Sequence, residues 1–317
     1  MLEIHSTRLF PKDRGANRYR ISGIAARCDW IILSDKIDPQ THLVKRHATR
    51  VPETVFLSFR WQRAALRFFV ETVLPQLTTP FTLISGSEDS TIPNQIDKRM
   101  QAFNGEDQKH VATILAHPNL KSWVTENLDD ASHPKLKPLP LGMVFNDDPP
   151  IRESVPIPTP QPLANRPLRA LCGHRVRPGG QWSTRRRVTE LAQSEWQDFC
   201  TVLDDDLSET AFIEQIESHA FVICAQGGGL DPSPKAWLSL LHGAVPIIKH
   251  SALDEAYKHL PVVFVDDWIK ESLSVEKLSN WRNRLVAVFD QPAHRRTLLK
   301  RLSLDYWWSY AMSNDDR

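Results

Sequence analysis

Residues 221–268 alternate strand-like and helix-like segments, and this leaves few folds open to the chain. Three short runs rich in β-branched residues, at 221–225, 244–248 and 262–265, are separated by two segments with helical spacing of apolar residues. Short buried strands that alternate with helices are typical of a parallel sheet, because each parallel strand needs a crossover connection. The stretch therefore predicts an α/β fold.

The same alternation continues on both sides of a proline-rich segment. Before it, apolar runs predict strands and helices at 30–33, 54–57, 63–74, 81–84, 109–116 and 122–125. After it, the pattern predicts further elements at 168–172, 199–203, 208–218, 274–289 and 293–310. The sequence therefore predicts two α/β domains in tandem.

The proline-rich segment, residues 146–167, contains seven prolines and no apolar periodicity. Proline lacks a backbone N–H and breaks helices, so the segment is typical of an extended linker, although a long surface loop has the same composition. We expect an N-terminal domain at 1–150, a linker at 151–167, a second domain at 168–292 and a C-terminal segment at 293–317.

Composition excludes several classes of protein. A net charge of +1 argues against a general nucleic-acid binder. There is no apolar run of the roughly 18 residues that span a bilayer, and the N-terminus lacks a signal-peptide core, so we expect a cytoplasmic protein without a transmembrane segment. The cysteines are far apart and the 12 histidines show no H-E-x-x-H spacing, so we predict neither a disulfide framework, a metal site nor a cofactor.

A cluster of candidate anion-binding residues follows the predicted strand at 221–225. Gly227, Gly228 and Gly229 allow close backbone approach to a ligand, and Asp231 and Lys235 follow within a few residues. Backbone N–H groups and a lysine at a helix start suit a diphosphate. A glycine run by itself also serves loop flexibility, and the charged neighbours favour the binding site.

A second basic element follows the strand at 168–172. It comprises His174, Arg175, Arg177 and the arginine run 185–187. Arg186 is the candidate for a bidentate phosphate contact. Loops after parallel strands meet at one edge of a sheet, so these residues would face the same crevice as the glycines. The alternative is a solvated helix face.

Residues 227–268 resemble the donor-binding region of exostosin-like glycosyltransferases of the GT-B fold. In that family a glycine-rich strand end and an Asp precede a basic residue, an aromatic and a G-x-x-P turn. Lys235 stands where the family usually has arginine, and Leu238 stands where many members have a glutamate that would hold the ribose. The remaining matches are Trp237, Gly243, Pro246 and Trp268. A weaker resemblance extends to 85–93, 123–129 and 133–143.

The resemblance implies two Rossmann-like domains that face a central cleft, with a C-terminal helix packing back on the first domain. The aromatic residues of this helix would pack against the first domain, and these are Tyr306, Trp307, Trp308 and Tyr310. The alternative is that they make a peripheral contact with a membrane. The resemblance also implies transfer of a sugar from a UDP- or GDP-sugar to a hydroxyl of a glycan or glycolipid, as in polysaccharide biosynthesis. We expect inversion at the anomeric carbon, and retention stays open as the alternative. The diphosphate would be held without a metal ion, by Lys235, the 227–229 backbone and one arginine of 185–187. The aspartates at 204–206 could suggest a metal-binding motif, but they are better explained as a turn at the end of a strand.

An inverting transferase of this kind needs a base near the acceptor hydroxyl. Asp89 is the first candidate and Glu88 the second, because both follow a buried strand; Glu126 and Asn127 follow the next strand and could bind sugar hydroxyls. Each of these residues could instead brace a turn. Two other functions also stay open, a noncatalytic nucleotide- or carbohydrate-binding protein and another sugar-nucleotide enzyme such as a two-domain epimerase.

Overall fold

The structure is a computed structural model, and it describes residues 1–47, 50–145, 154–203 and 207–313. Contacts divide the chain into two compact units. The N-terminal unit comprises Glu3–Ser154, Gly229–Asp231 and Leu304–Arg317. The C-terminal unit comprises Met1–Leu2, Val155–Gly228 and Pro232–Ser303.

The N-terminal unit contains a six-stranded sheet. After a two-residue strand, β1 (Leu2–Glu3), the strands of this sheet are β2 (Trp30–Ser34), β3 (Thr41–Lys45), β4 (Thr54–Ser58), β5 (Phe81–Gly86), β6 (Leu120–Thr125) and β7 (Leu136–Pro138). Their order is β3-β2-β4-β5-β6-β7, and only the edge strand β3 is antiparallel to its neighbour. Every residue of β2, β4 and β5 is buried, which explains their continuous apolar sequences.

Two helical segments of this unit follow β4 and β5. Helix α1 (Gln62–Phe68) continues through a π-helical segment at Phe69–Val73 and a 3-10 turn at Leu74–Gln76. Helix α2 (Gly105–Ala116) begins at a capping box, in which the Asn104 side chain accepts hydrogen bonds from the backbone N–H groups of Glu106 and Asp107. Two 3-10 helices precede β2, at Ala16–Arg18 and Gly23–Arg27.

The C-terminal unit contains a five-stranded parallel sheet with the order β10-β9-β11-β12-β13. A two-residue strand, β8 (Ser154–Val155), comes before this sheet in the chain and is not part of it. The five strands of the sheet are β9 (Ala170–Cys172), β10 (Cys200–Val202), β11 (Phe221–Ile223), β12 (Val245–Lys249) and β13 (Val263–Val265). The helices of the unit are α3 (Ser183–Gln193), α4 (Glu209–Glu217), α5 (Lys235–Leu241), α6 (Asp254–Tyr257), α7 (Val275–Asp290) and α8 (Pro292–Arg301). It also has 3-10 helices at Leu163–Asn165, Gly180–Trp182 and Lys270–Ser272.

The predicted fold class, two α/β domains of Rossmann type, is confirmed. Counted along each main sheet, the strands follow the doubly wound order 2-1-3-4-5, which the N-terminal sheet extends by one strand. The sequence did not indicate β3 or β7, because β3 is a half-exposed edge strand and β7 has only three residues.

The last helix, α9 (Leu304–Met312), packs within the N-terminal unit, as predicted. Trp307 is fully buried there, and the Lys137 Nζ donates a hydrogen bond of 2.7 Å to the Tyr310 carbonyl. Arg27 forms an ion pair with Asp305, with 2.6 Å between Nη2 and Oδ1. Among the described residues no helix is long and apolar enough to cross a membrane.

The contact-based division differs from the predicted ranges in four places, two of which are the short segments Met1–Leu2 and Gly229–Asp231. The predicted helix at 293–310 is two helices, and α8 belongs to the C-terminal unit while α9 does not. Residues 155–167 also belong to the C-terminal unit, where Leu163 is buried and the backbone N–H groups of Leu163 and Ala164 donate to the Asp290 carboxylate. Residues 146–153 and 204–206 lie outside the described residues.

We predict that Asn104→Ala lowers the free energy of unfolding of the N-terminal unit by about 1 kcal/mol, because two N–H groups of α2 lose their acceptor. Urea denaturation followed by far-UV circular dichroism measures this loss. Asn104→Ser keeps a capping oxygen and should lose much less. Equal losses in the two variants would show that the cap does not stabilise α2.

Candidate functional site

The candidate site lies at the carboxyl ends of β9 and β11 in the C-terminal unit. The chain leaves β9 to form β10 on one side of it and then returns to form β11 on the other, so the strand order reverses between β9 and β11. In doubly wound sheets ligands bind at this switch point. The loop at 173–182 follows β9 and the loop at 224–234 follows β11, which brings both predicted basic elements to one edge.

Lys235, the first residue of α5, has a buried ammonium group. Its stem is partly exposed, but its Nζ is enclosed and has no hydrogen-bond partner in the part of the chain that the structure describes. Burial, with a smaller contribution from the Arg185 charge, lowers the pKa of Lys235 to about 8. At neutral pH the group is still mostly charged, and no anion of the described residues pairs with it.

Arg185 brings a second positive charge to this edge. Its guanidinium lies against Gly227, where an added Cβ would be only 2.2 Å from Nη2, so a side chain at position 227 would displace it. Nη1 donates to the Arg175 carbonyl at 3.3 Å, and the group lies 4.8 Å from the centroid of the Trp182 ring. Gly227 is therefore required for the close approach of Arg185 to the end of β11.

His174 and Arg186 do not provide further charge at this point. The His174 Nε2 is 3.1 Å from the Arg185 carbonyl, and burial together with Lys235 lowers the pKa of His174 to about 3, so the ring is neutral. Arg186 donates hydrogen bonds to the carbonyls of Arg177 and Gly179, at 3.1 and 2.9 Å. The structure thus uses Arg186 to hold the preceding loop and places Arg185 beside the glycines.

The end of the glycine run and the two residues after it, Gly229–Asp231, belong to the N-terminal unit. Gly228 is partly exposed, whereas Gly229 has a φ of +62° and an added Cβ would be 2.4 Å from the Asn127 Oδ1. The Asp231 carboxylate is buried and accepts a hydrogen bond of 2.9 Å from the Leu141 backbone N–H. Gly229 and Asp231 thus have structural partners in that unit.

Asn127, predicted to bind an acceptor, is fully buried in a hydrogen-bond network. Its Oδ1 accepts from the N–H groups of Leu230 and Asp231, and its Nδ2 donates to the Glu88 carbonyl at 3.2 Å. These bonds use both ends of the amide, so the side chain fixes the 229–231 segment.

The carboxylates at the ends of β5 and β6 converge on Arg8. Arg8 Nη2 is 2.5 Å from Asp89 Oδ1 and 3.1 Å from Glu126 Oε1, and Arg8 Nη1 is 3.6 Å from Glu88 Oε1. Glu88 also pairs with Arg60 at 3.0 Å, and Asp89 pairs with Arg99. The sequence did not single out Arg8, which is 81 residues from Asp89 and lies in no recognisable motif.

Two of these carboxyl groups differ widely in acidity. Burial would raise the pKa of Asp89, but the charges of Arg8 and Arg99 outweigh it and lower the pKa to about 2. Burial raises the pKa of Glu126 to about 7, against the opposing effects of Arg8 and Thr7. Asp89 is therefore ionised at neutral pH and keeps a partly exposed side chain, whereas the fully buried Glu126 is close to half protonated.

No protein-family model matches the sequence, and no curated protein matches it. Among solved structures, the chain is similar to a glycosyltransferase from Rickettsia africae ESF-5, at 12% identity over 83% of this chain and 78% of that one, with a TM-score of 0.40. It is also similar to the spinosyn rhamnosyltransferase SpnG complexed with thymidine diphosphate, at 13% identity over 81% and 70% of the two chains, with a TM-score of 0.36. At these values the likenesses do not define the activity of this chain.

We predict that Glu126 makes stability fall as the pH rises from 5 to 7. In this window the folded protein holds a proton on Glu126 that the unfolded chain, with a pKa near 4.5, has released. The free energy of unfolding then decreases by up to about 1.4 kcal/mol per pH unit. Glu126→Gln is neutral at every pH and lacks this contribution.

Urea denaturation of both proteins at pH 5, 6, 7 and 8 measures the difference, since the other titrating groups are common to both. The exposed Glu190→Gln serves as the control and should follow the wild-type curve. Parallel curves for wild type and Glu126→Gln would contradict the raised pKa.

Proposed function

We propose that the protein is a glycosyltransferase that moves a sugar from a nucleotide-sugar donor to a hydroxyl group of a glycan or glycolipid. The observation that carries the proposal is the buried Nζ of Lys235, which has no hydrogen-bond partner among the described residues and lies with Arg185 and Gly227 at the switch point of a parallel sheet. A buried ammonium without a partner is costly, and a diphosphate would supply the missing anion and its hydrogen-bond acceptors.

The chemistry of the donor fits these groups. When the bond between the sugar and the nucleoside diphosphate breaks, negative charge grows on the departing phosphate oxygens. Fixed cations that already face this position stabilise the charge without having to reorganise. In this proposal Lys235 and Arg185 hold the diphosphate of a UDP- or GDP-sugar, Gly227 and Gly228 offer the backbone, and His174 positions Arg185.

The position that would contact the ribose of the donor is occupied by Leu238. Leu238 lies one turn after Lys235 on α5 and is partly exposed. It offers no hydrogen bond to the ribose hydroxyls, unlike the glutamate of many exostosin-like glycosyltransferases. The phosphates would therefore contribute more of the donor affinity here than they do in the members that have this glutamate.

The N-terminal unit would provide the base. We propose Asp89 first and Glu88 second, because their side chains are each 21% exposed whereas Glu126 is buried. The base takes the proton of the acceptor hydroxyl as its oxygen attacks the anomeric carbon and the diphosphate leaves from the opposite face, which inverts the configuration. Glu126 and Asn127 support the surrounding loop in this proposal.

One observation favours a second candidate function. Asp89 is paired with both Arg8 and Arg99, and its pKa of about 2 makes it a weak base. A noncatalytic nucleotide-binding protein would keep the cationic site of the C-terminal unit and would not need a base. Binding and turnover therefore have to be tested separately.

We predict that isothermal titration calorimetry detects 1:1 binding of UDP, GDP or thymidine diphosphate. Lys235→Ala should abolish this binding and Arg185→Ala should weaken it at least tenfold, because each removes a charge that faces the phosphates. Arg187→Ala is the matched control: it removes an exposed arginine from the same helix and should bind as wild type does. Equal losses in the 185 and 187 variants, or no binding of any nucleotide, would refute the donor site.

We predict that Asp89→Asn lowers sugar transfer or nucleotide-sugar hydrolysis by about 10²–10⁴-fold, the usual contribution of a general base. Nucleoside diphosphate binding and the melting temperature are measured on the same preparation. If binding is intact and turnover is lost, Asp89 is the base. Unchanged turnover would exclude Asp89, and binding without any turnover in the wild type would support the binding protein instead.

A further inference from the structure

Three side chains with metal-ligating atoms converge on the helices of the N-terminal unit, away from the Arg8 cluster. Glu71 lies in the π-helical segment after α1, Glu106 in the first turn of α2 and His110 one turn further along α2. One ligand atom from each lies within 4.8 Å of the other two. We propose that these residues form a binding site for a divalent transition-metal cation, with Zn²⁺ as the best match.

The state of His110 supports a ligand at this position. The residue is only 8% exposed, and its Nδ1 is buried without a hydrogen-bond partner among the described residues. A buried ring nitrogen without a partner loses the hydrogen bonds that water would supply. A ring nitrogen of His110 lies within 4.8 Å of a carboxylate oxygen of each glutamate, and imidazole nitrogen with carboxylate oxygen is a usual ligand set for zinc.

The two carboxylates of the cluster also support a cation site. Glu71 and Glu106 are exposed, and within the described ranges neither side chain has a hydrogen bond or an ion pair. Two like charges at this separation repel each other, and a cation between them would offset the repulsion. The neighbouring Asp107 is not available, because it pairs with Arg63 at 2.9 Å and accepts the hydrogen bond of the Asn104 N–H.

The backbone explains why the three residues meet. Glu106 and His110 are four residues apart, so they lie on the same face of α2. Helix α2 contacts both α1 and the π-helical segment, and that segment carries Glu71. Zinc binds carboxylate oxygen and imidazole nitrogen at about 2.0–2.2 Å, and the exposed glutamates can change rotamer to reach this distance. A bound ion would link the π-helical segment to α2.

The test is titration of the full chain with ZnCl₂ by isothermal titration calorimetry, together with thermal unfolding at increasing Zn²⁺. We expect one site and a melting temperature that rises with Zn²⁺ concentration, since a ligand of the folded state stabilises it. MgCl₂ should have no such effect, because Mg²⁺ prefers an all-oxygen site that keeps several waters. The inference does not depend on the proposed transferase activity.

Glu71→Gln and Glu106→Gln should each weaken Zn²⁺ binding at least tenfold, because even the loss of an outer-shell partner costs 10–100-fold. Both residues are exposed, so these variants keep the fold; His110→Gln is the third variant and is checked by circular dichroism. The exposed Glu276→Gln on α7 is the control and should bind as wild type does.

His250 and Asp254 form the main competing site, since they are also four residues apart and lie in contact. Binding that survives in the Glu71→Gln/Glu106→Gln double variant, or that is lost in His250→Ala, would overturn the proposal. So would the absence of both heat and a melting-temperature change with Zn²⁺.

Discussion

The parallel direction of the strands is the constraint on which the rest of each unit depends. Parallel strands must be joined by crossovers, so every strand of the C-terminal sheet delivers its following loop to the same edge. Residues that are far apart in the sequence meet there: Arg185 follows β9, and Gly227 and Lys235 follow β11. In the N-terminal unit the loops after β5 and β6 bring Asp89 and Glu126 to Arg8 by the same rule.

The two units handle buried charge in opposite ways. In the C-terminal unit the Lys235 ammonium has no hydrogen-bond partner among the described residues, and burial lowers its pKa, as is common for groups at functional sites. The N-terminal unit gathers three carboxylates around Arg8 and satisfies them internally. Burial of Glu126 and pairing of Asp89 then separate the two pKa values by several units. Such a separation distinguishes a group that can exchange a proton near pH 7 from one that stays ionised.

The sequence predicted the fold class and placed the basic residues in loops after two parallel strands. Both predictions depend on hydrophobic periodicity and strand–helix alternation, which are local properties of a sequence. They did not decide the choice between Arg185 and Arg186. Consecutive helical residues point about 100° apart, so the phase of α3 against the sheet decides which arginine faces Gly227. Arg8 and the Glu71, Glu106 and His110 cluster were missed for a related reason. Arg8 and Glu71 reach their partners only through tertiary packing, and the i,i+4 spacing of Glu106 and His110 does not by itself mark a site.

The residues proposed to bind the donor and the candidate bases lie in different units of the chain. Each of the residues proposed to hold the diphosphate, Lys235, Arg185 and Gly227, belongs to the C-terminal unit, whereas the candidate bases Asp89 and Glu88 belong to the N-terminal unit. The residues proposed to bind a nucleotide therefore belong to a different unit from those proposed to activate an acceptor. A transferase and a nucleotide-binding protein built on this chain would share the first set and differ in the second. If Asp89 is the base, as proposed, its ion pairs with Arg8 and Arg99 bear on the transferase alone, whereas the cationic edge of the C-terminal sheet would serve either function.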